Sequence, residues 1–150
     1  MKQRLLISAC FLGSRCKYNG GHNALPAETL AALRRRYALV PVCPETAGGL
    51  PIPREPSERL AGYVLSRSGA DVSAAYEKGA ALADKLAGRF GCTKALLKER
   101  SPSCGTGTIY DGSFTHRVIP GDGTAAEKLR ERGLSLYGES EVEKLLTDDE

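Results

Sequence analysis

Short apolar segments alternate along this chain with longer segments in which apolar residues recur at helical spacing. Residues 5–10 have the composition of a buried strand, and Pro26 opens a helix pattern that continues to about Arg36. Further strands are predicted at residues 38–43, 94–98 and 134–137, and further helices at residues 74–90, 125–132 and 140–146. Because alternating strands and helices build parallel sheets with right-handed crossovers, we predict an α/β fold. We expect a single domain over residues 1–150, a three-layer sandwich with a mostly parallel, Rossmann-like sheet.

Proline and glycine mark where this alternation is interrupted. Pro41 lies inside the second predicted strand, and its missing N–H predicts a short or irregular pairing there. Residues 44–67 are rich in proline and glycine, which predicts a long loop with room for a short helix or an extended pair. Loops of this length in compact domains are usually functional. We also expect a hairpin at residues 108–118 and a frayed acidic tail from about residue 147.

Charge and composition exclude two classes of function. The 150 residues carry a formal net charge of +3, and the basic residues are scattered among acids, which argues against a nucleic-acid partner. No apolar stretch is long enough for a membrane span, and the N-terminal apolar run is interrupted too soon for a signal peptide. We therefore expect a cytoplasmic protein. In that reducing compartment its five cysteines indicate metal binding or catalysis, not disulfides.

Three of the cysteines are placed by the predicted strands. Cys10, Cys43 and Cys104 each lie at, or just beyond, the C-terminal end of a strand. In a parallel sheet those ends share one edge, and ligands bind in the crevice there. We therefore expect the three thiols to converge in space, although they are distant in sequence. No CxxC pair is present, so the pattern does not support a zinc ribbon or a thioredoxin-type site.

Three convergent thiolates suit several kinds of site. Ligation by cysteine alone suits zinc or an iron–sulfur cluster, and in a cluster three thiolates leave one iron without a protein ligand. The alternative is that the cysteines are ordinary small core residues. Cys16, in the first loop at this edge, is a candidate fourth ligand or sulfur relay, but we favour no essential role for it. Cys92 precedes a strand at the opposite edge and is predicted to be a packing residue.

Polar residues beside these cysteines are further candidates. Glu45 follows Cys43 closely and is a candidate general acid or base, with an exposed loop carboxylate as the alternative. Lys98 and Ser101 flank the end of the strand at residues 94–98. Lys98 is a candidate for binding an anionic substrate, with a solvated lysine as the alternative. Ser103 is a candidate hydrogen-bond donor to substrate or to cluster sulfides.

Six short motifs, spread in order along nearly the whole chain, resemble one small bacterial family. They are Ser8-Ala9-Cys10-Phe11-Leu12-Gly13, Lys17-Tyr18-Asn19-Gly20-Gly21, Val42-Cys43-Pro44-Glu45, Gly48-Gly49-Leu50-Pro51-Ile52-Pro53-Arg54, Gly69-Ala70-Asp71-Val72-Ser73 and Lys98-Glu99-Arg100-Ser101-Pro102-Ser103-Cys104-Gly105. This family was long known only as a domain of unknown function, and it includes the thiouracil desulfidases. The chain departs from the family at Asn19, where aspartate is the more usual residue.

The resemblance implies a cofactor, an activity and site residues. It implies that Cys10, Cys43 and Cys104 hold a 4Fe-4S cluster whose fourth iron is free, and this is the same trio that the strand ends indicate. It implies a non-redox desulfuration of a thiolated pyrimidine such as thiouracil, or of a related thioamide. In the reaction that the resemblance implies, the sulfur of the substrate binds the free iron and water replaces sulfur at carbon. Glu45 and Ser101 match the residues that manage protons and orient the substrate in that family.

Two other interpretations stay open at this point. The same thiolates, with Cys16 as a further ligand or relay, suit a non-catalytic metal- or sulfur-binding module. A nucleotide-binding α/β domain with incidental cysteines is the third interpretation. For the enzyme we expect a small-molecule thiolated substrate, no nucleic-acid or membrane partner, and a monomer or homodimer.

Overall fold

A four-stranded parallel sheet lies at the centre of the computed structural model, which describes residues 2–147. In chain order the elements are β1 (Gln3–Ser8), α1 (Ala27–Arg36), β2 (Tyr37–Val42), α2 (Pro44–Ala47), β3 (Ser57–Leu60), β4 (Tyr63–Ser66), α3 (Ser73–Phe90), β5 (Lys94–Leu97), β6 (Thr108–Tyr110), β7 (Val118–Pro120), α4 (Thr124–Arg132), β8 (Ser135–Gly138) and α5 (Val142–Thr147). The sheet order is β2-β1-β5-β8, and every neighbouring pair is parallel. The predicted α/β fold with a parallel sheet is therefore confirmed. The acidic tail expected from about residue 147 lies outside the described residues, apart from its first residue.

Pro41 lies in β2, which is an edge strand of the sheet. This strand pairs with β1 alone, in an unbroken register that runs from Gln3 opposite Tyr37 to Ser8 opposite Val42. The expectation of a short or irregular pairing is therefore wrong. One side of an edge strand makes no ladder hydrogen bonds, so a residue without an N–H is tolerated there.

Helices cover both faces of the sheet and give the fold three layers. On one face α3 and α4 pack against the sheet through small buried side chains. These are Ala80, Ala83, Ala87, Ala125 and Ala126. On the other face α1 and α5 pack against the sheet through Leu33 and Leu145, which meet Leu5 and Ile7 of β1. Because the central strands β1 and β5 are covered on both faces, the loops that follow them are held in place from two sides.

The segment between β2 and α3 contains both elements that its sequence allows, the short helix α2 and the β3–β4 hairpin. α2 lies directly on α3, backbone against backbone. A Cβ atom on Gly79 would overlap the carbonyl of Pro44, and one on Gly48 would overlap the carbonyl of Ala75. Only glycine permits this approach. The contact holds the first turn of α2, and with it Glu45, against the body of the protein.

The carboxyl edge of the sheet contains the switch in strand order. From β1 the chain crosses to β2 on one side, and from β5 it crosses to β8 on the other side. A crevice opens where neighbouring connections diverge in this way. The second hairpin, β6–β7, confirms the hairpin expected after residue 108, and residues of both hairpins line the crevice. Within residues 2–147 no helix combines the length and the apolar character that a membrane crossing requires.

Candidate functional site

A cavity of about 340 Å³ lies at the carboxyl edge of the sheet. Its lining includes every site residue singled out in the sequence, namely Cys10, Cys43, Glu45, Lys98, Ser101, Ser103 and Cys104. A cavity of this volume is in the range that small-molecule sites occupy.

Each of the three cysteines is positioned by a different connection. Cys10 lies in a 3₁₀ turn, Ala9–Leu12, directly after β1, and its carbonyl accepts the N–H of Asn23 at 3.0 Å. Cys43 lies between β2 and the first turn of α2. Cys104 lies seven residues beyond β5, in a tight turn whose core is the Ser101 hydroxyl. The Ser101 oxygen accepts the backbone N–H groups of Ser103 and Cys104, both at 3.0 Å.

A fourth thiol, that of Cys16, belongs to this group. Cys16 is buried, the Cys43 thiol lies 4.0 Å from its carbonyl oxygen, and the neighbouring thiols of Cys10 and Cys43 shift its pKa. The first loop therefore places Cys16 between two of the cysteines that the strand ends bring together. Cys92 packs in the core on the α3–α4 face, which agrees with the prediction of a packing residue.

The three thiols at the strand ends line one cavity and are candidate ligands of an iron–sulfur cluster. Within the part of the chain that the structure describes, no three His, Cys, Asp or Glu side chains meet around one point as the ligands of a single metal ion do. A mononuclear zinc site requires ligands that converge on one atom at about 2.3 Å. An iron–sulfur cluster is ligated at separate irons, so its cysteines stand apart around a common cavity. Cys10, Cys43 and Cys104 on the walls of one cavity fit that second arrangement.

Hydrogen bonds and burial set the protonation of these thiols differently. The pKa of Cys10 is lowered, chiefly because Cys16 donates a hydrogen bond to it, while burial opposes this shift. The pKa of Cys43 is raised by its own hydrogen bond to Cys16 and by burial. Burial raises the pKa of Cys104 to about 12, although contacts with the Ser8 and Ser103 hydroxyls oppose this shift. Metal binding deprotonates such thiols, so loading this site releases protons.

A hydrogen-bonded chain of polar groups lies beside Cys104. The Ser103 hydroxyl donates to Oε2 of Glu45 at 2.9 Å and lies 3.0 Å from the Ser101 hydroxyl. Oε1 of Glu45 is held by the Arg54 guanidinium at 2.8 and 3.2 Å. Tyr76 also hydrogen-bonds Glu45, and burial together with the Glu45 charge raises the pKa of this phenol. Glu45 is therefore a fixed carboxylate inside the cavity, and not the exposed loop residue that was its alternative.

Comparison with known proteins agrees with this arrangement. The family model of the 2-thiouracil desulfurases matches residues 5–141, a span that includes every residue named in the cavity. The chain belongs to the 2-thiouracil desulfurase family. It is 36% identical over 152 residues to the uncharacterized protein YbbK of Bacillus subtilis (strain 168). This alignment covers 95% of this chain and 99% of that protein. It is also similar to the solved structure of the 4Fe-4S-dependent thiouracil desulfidase TudS, with 40% identity, a TM-score of 0.91, and coverage of 96% of this chain and 95% of that one.

In this member of the desulfurase family Lys98 is already paired. Its ammonium lies 2.7 Å from Oε2 of Glu139 and donates to the carbonyl of Glu99 at 3.3 Å. The Lys98 backbone N–H donates to the hydroxyl of Ser8 at 3.0 Å. Lys98 thus lies at the cavity in an ion pair with Glu139, so it is neither an unpaired cation nor a fully solvated lysine. An anionic ligand at Lys98 would compete with the Glu139 carboxylate.

Three residues of the candidate site were missed in the sequence. Arg54 joins Glu45 to the first loop, because it also donates to the carbonyl of Cys16 at 2.9 Å. Ser8 is buried at the end of β1 and joins Cys104 to the backbone after β5. Tyr76 reaches the cavity from α3. Arg54 and Ser8 both lie inside the quoted motifs, and that position is the one signal in the sequence that pointed to them.

Proposed function

We propose that the protein is a 4Fe-4S-dependent desulfidase that hydrolyses the carbon–sulfur double bond of a thiolated pyrimidine such as thiouracil. The observation that carries this proposal is the placement of three thiols from three connections around one cavity, beside the Glu45–Ser103–Ser101 chain. Cys10, Cys43 and Cys104 would hold the cluster. When bound, the cluster supplies an iron without a protein ligand, a Lewis acid with affinity for soft sulfur.

The residues of this chain provide the proton movements that hydrolysis needs. Water adds its oxygen to the carbon, the carbon–sulfur bond breaks, and the two protons of water leave with sulfur as hydrogen sulfide. No electrons are gained or lost overall. Glu45 is the base for the attacking water, because Arg54 holds one carboxylate oxygen and leaves the other, Oε2, directed to the serine pair.

The direction of the serine chain follows from the number of protons available. The Ser103 hydroxyl has one proton and donates it to Glu45 at 2.9 Å, since its contact with the Cys104 sulfur is longer, at 3.7 Å. The hydrogen bond between the two serines must therefore use the proton of Ser101, whose oxygen already accepts two backbone N–H groups. The chain runs from Ser101 through Ser103 to Glu45. In this orientation the chain carries a proton from Ser101 to Glu45, and both hydroxyls must rotate before a proton can pass back from Glu45 to Ser101.

The experiment that tests this proposal compares cluster content with turnover after anaerobic reconstitution. We expect the wild-type protein to bind iron and inorganic sulfide and to release sulfide from thiouracil. Glu45→Gln keeps the size of the side chain and removes its base, so we expect it to retain the cluster and lose most turnover. If Glu45→Gln turns over thiouracil at the wild-type rate, Glu45 has no part in the mechanism.

One observation favours the second candidate, a non-catalytic sulfur- or metal-binding module. Cys16 lies within hydrogen-bonding reach of Cys10 and Cys43 and offers a fourth thiol to a closed site. A cluster with four protein ligands would neither bind added thiouracil nor release sulfide from it. The same reconstitution experiment on Cys16→Ser therefore separates the two functions, because the desulfidase keeps its cluster and its turnover while the closed module loses its fourth ligand.

A cytoplasmic location is part of the proposal. All five cysteines are free thiols, although Cys16 lies next to two others. Neighbouring thiols persist in a reducing compartment and are oxidised to disulfides outside it.

A further inference from the structure

Most of the described non-glycine residues with a left-handed backbone conformation line the cavity. In residues 2–147 the residues other than glycine with positive φ are Ala61 (49°), Arg100 (67°), Phe114 (60°) and His116 (63°). Three of these four line the cavity, and the exception, Ala61, lies in the exposed turn of the β3–β4 hairpin. Bulky residues rarely adopt this conformation, and such strain gathers where function requires it. Phe114 and His116 belong to the loop between β6 and β7.

Specific contacts hold this loop in its strained form. The buried carboxylate of Glu58 accepts the backbone N–H groups of Gly112 at 2.9 Å and of Phe114 at 3.1 Å. The guanidinium of Arg67, from beyond β4, lies 5.7 Å from the centre of the Phe114 ring. These contacts come from the other hairpin, so the two hairpins together fix where Phe114 stands.

An aromatic pair completes this wall of the cavity. The rings of Tyr110 and His116 meet edge to face, with centroids 5.4 Å apart and an interplanar angle of 79°. The cavity thus combines two kinds of lining residue. Its lining includes the thiols and the Glu45 chain, and also the rings of Tyr110, Phe114 and His116.

We propose that Phe114 and His116 are specificity-determining residues, which pack against the planar ring of the substrate and select cyclic aromatic thioamides over acyclic ones. This inference rests on the proposed desulfidase function and names the substrate class of the same site. A pyrimidine ring has a π-face that packs well on aromatic side chains, whereas an acyclic thioamide offers the same reactive group without that face. Both classes carry the same thioamide group, so discrimination between them falls to the aromatic wall.

Because His116 and Ala61 both have positive φ, their glycine variants form a matched pair. Glycine adopts positive φ without cost, so both His116→Gly and Ala61→Gly relieve the same backbone strain. Only the first removes a ring from the cavity. We expect both variants to keep or raise the thermal midpoint, while only His116→Gly weakens binding of the ring. Phe114→Leu, which keeps an apolar side chain, is the second test of the wall.

The experiment has one readout that needs no cluster and one that does. Binding of uracil to the protein without cluster is measured by calorimetry or ligand-observed NMR. The ratio of kcat/KM for thiouracil to that for thioacetamide is measured on the reconstituted enzyme. We expect Phe114→Leu and His116→Gly each to weaken uracil binding and to lower this ratio on the order of tenfold, the size of one stacking contact. Ala61→Gly should leave both readouts at the wild-type values.

Two results would overturn the inference. The first is uracil binding and a substrate ratio that stay at wild-type values in both wall variants. The second is an equal loss of activity on thiouracil and thioacetamide, which would mean that the wall shapes the site without selecting a ring. Failure of the desulfidase proposal looks different, because wild-type protein with a full cluster would then release no sulfide from either compound.

Discussion

The Ser103→Ala variant tests the hydrogen-bonded chain most sharply. Ser103 is 2% exposed, and its single hydroxyl joins Ser101 to Glu45. Alanine removes the donor to the carboxylate and leaves the half-buried Ser101 hydroxyl without its acceptor. Removing one partner from a buried hydrogen bond costs about 1–3 kcal/mol. For a chain of this length the thermal midpoint should fall by about 2–12 °C.

The effect on catalysis should be larger than the effect on stability. Proton transfer by a positioned group is worth about 10²–10⁴-fold, so breaking the chain at its middle should lower kcat by about a hundredfold or more. Cluster content, measured as iron and inorganic sulfide per chain, should stay at the wild-type level because no thiolate is changed. An unchanged kcat in Ser103→Ala would refute the relay, and Glu45 would then have to act without the serines.

Ser68→Ala is the matched control for this variant. Its hydroxyl also donates to a carboxylate, that of Glu55, at 2.9 Å, but this pair is exposed and lies outside the cavity. We expect Ser68→Ala to leave kcat at the wild-type value and to change stability by less than about 0.5 kcal/mol.

Three more predictions concern the ligands, the pH dependence and the packing under the site. Cys104→Ser should lose most bound iron, whereas Cys92→Ser, which changes a core thiol, should bind as much as wild type; equal iron in both would remove Cys104 from the ligand set. The folded protein raises the pKa of Tyr76 above its unfolded value near 10, so the unfolded state loses this proton first and stability should fall as pH rises above 10. Urea unfolding of Tyr76→Phe should show a smaller fall in stability over the same pH range. An identical dependence of stability on pH in the variant and the wild type would contradict this. Gly79→Ala should lower stability by about 1–3 kcal/mol in a thermal melt because its Cβ would overlap the Pro44 carbonyl, and an unchanged melt would mean that α2 moves freely on α3.

The sequence was sufficient for the parallel sheet and for the cysteines at its edge because both follow local rules. Short apolar segments located β1, β2, β5 and β8. The carboxyl ends of parallel strands share one edge of the sheet, whatever connections join the strands. The same reasoning misjudged Pro41, since its effect depends on which neighbours β2 has, and strand order is not a local property.

The rest of the site depends on contacts between distant parts of the chain. The place of Cys16 is set in part by Arg54, which donates to its carbonyl across 38 residues of sequence. The path of the β6–β7 loop depends on Glu58 from the other hairpin, and it forces Phe114 into a conformation that its own propensity disfavours. A conflict between a residue's backbone preference and its tertiary contacts cannot be detected from local sequence patterns, and such conflicts are expected at functional sites.

The most direct test of the central claim is the balance of products from thiouracil under anaerobic conditions. Hydrolytic desulfuration predicts equal amounts of uracil and sulfide over many turnovers, with no added oxidant or reductant. A protein with a full cluster that forms no uracil, or that forms it only when a reductant is supplied, would contradict the account.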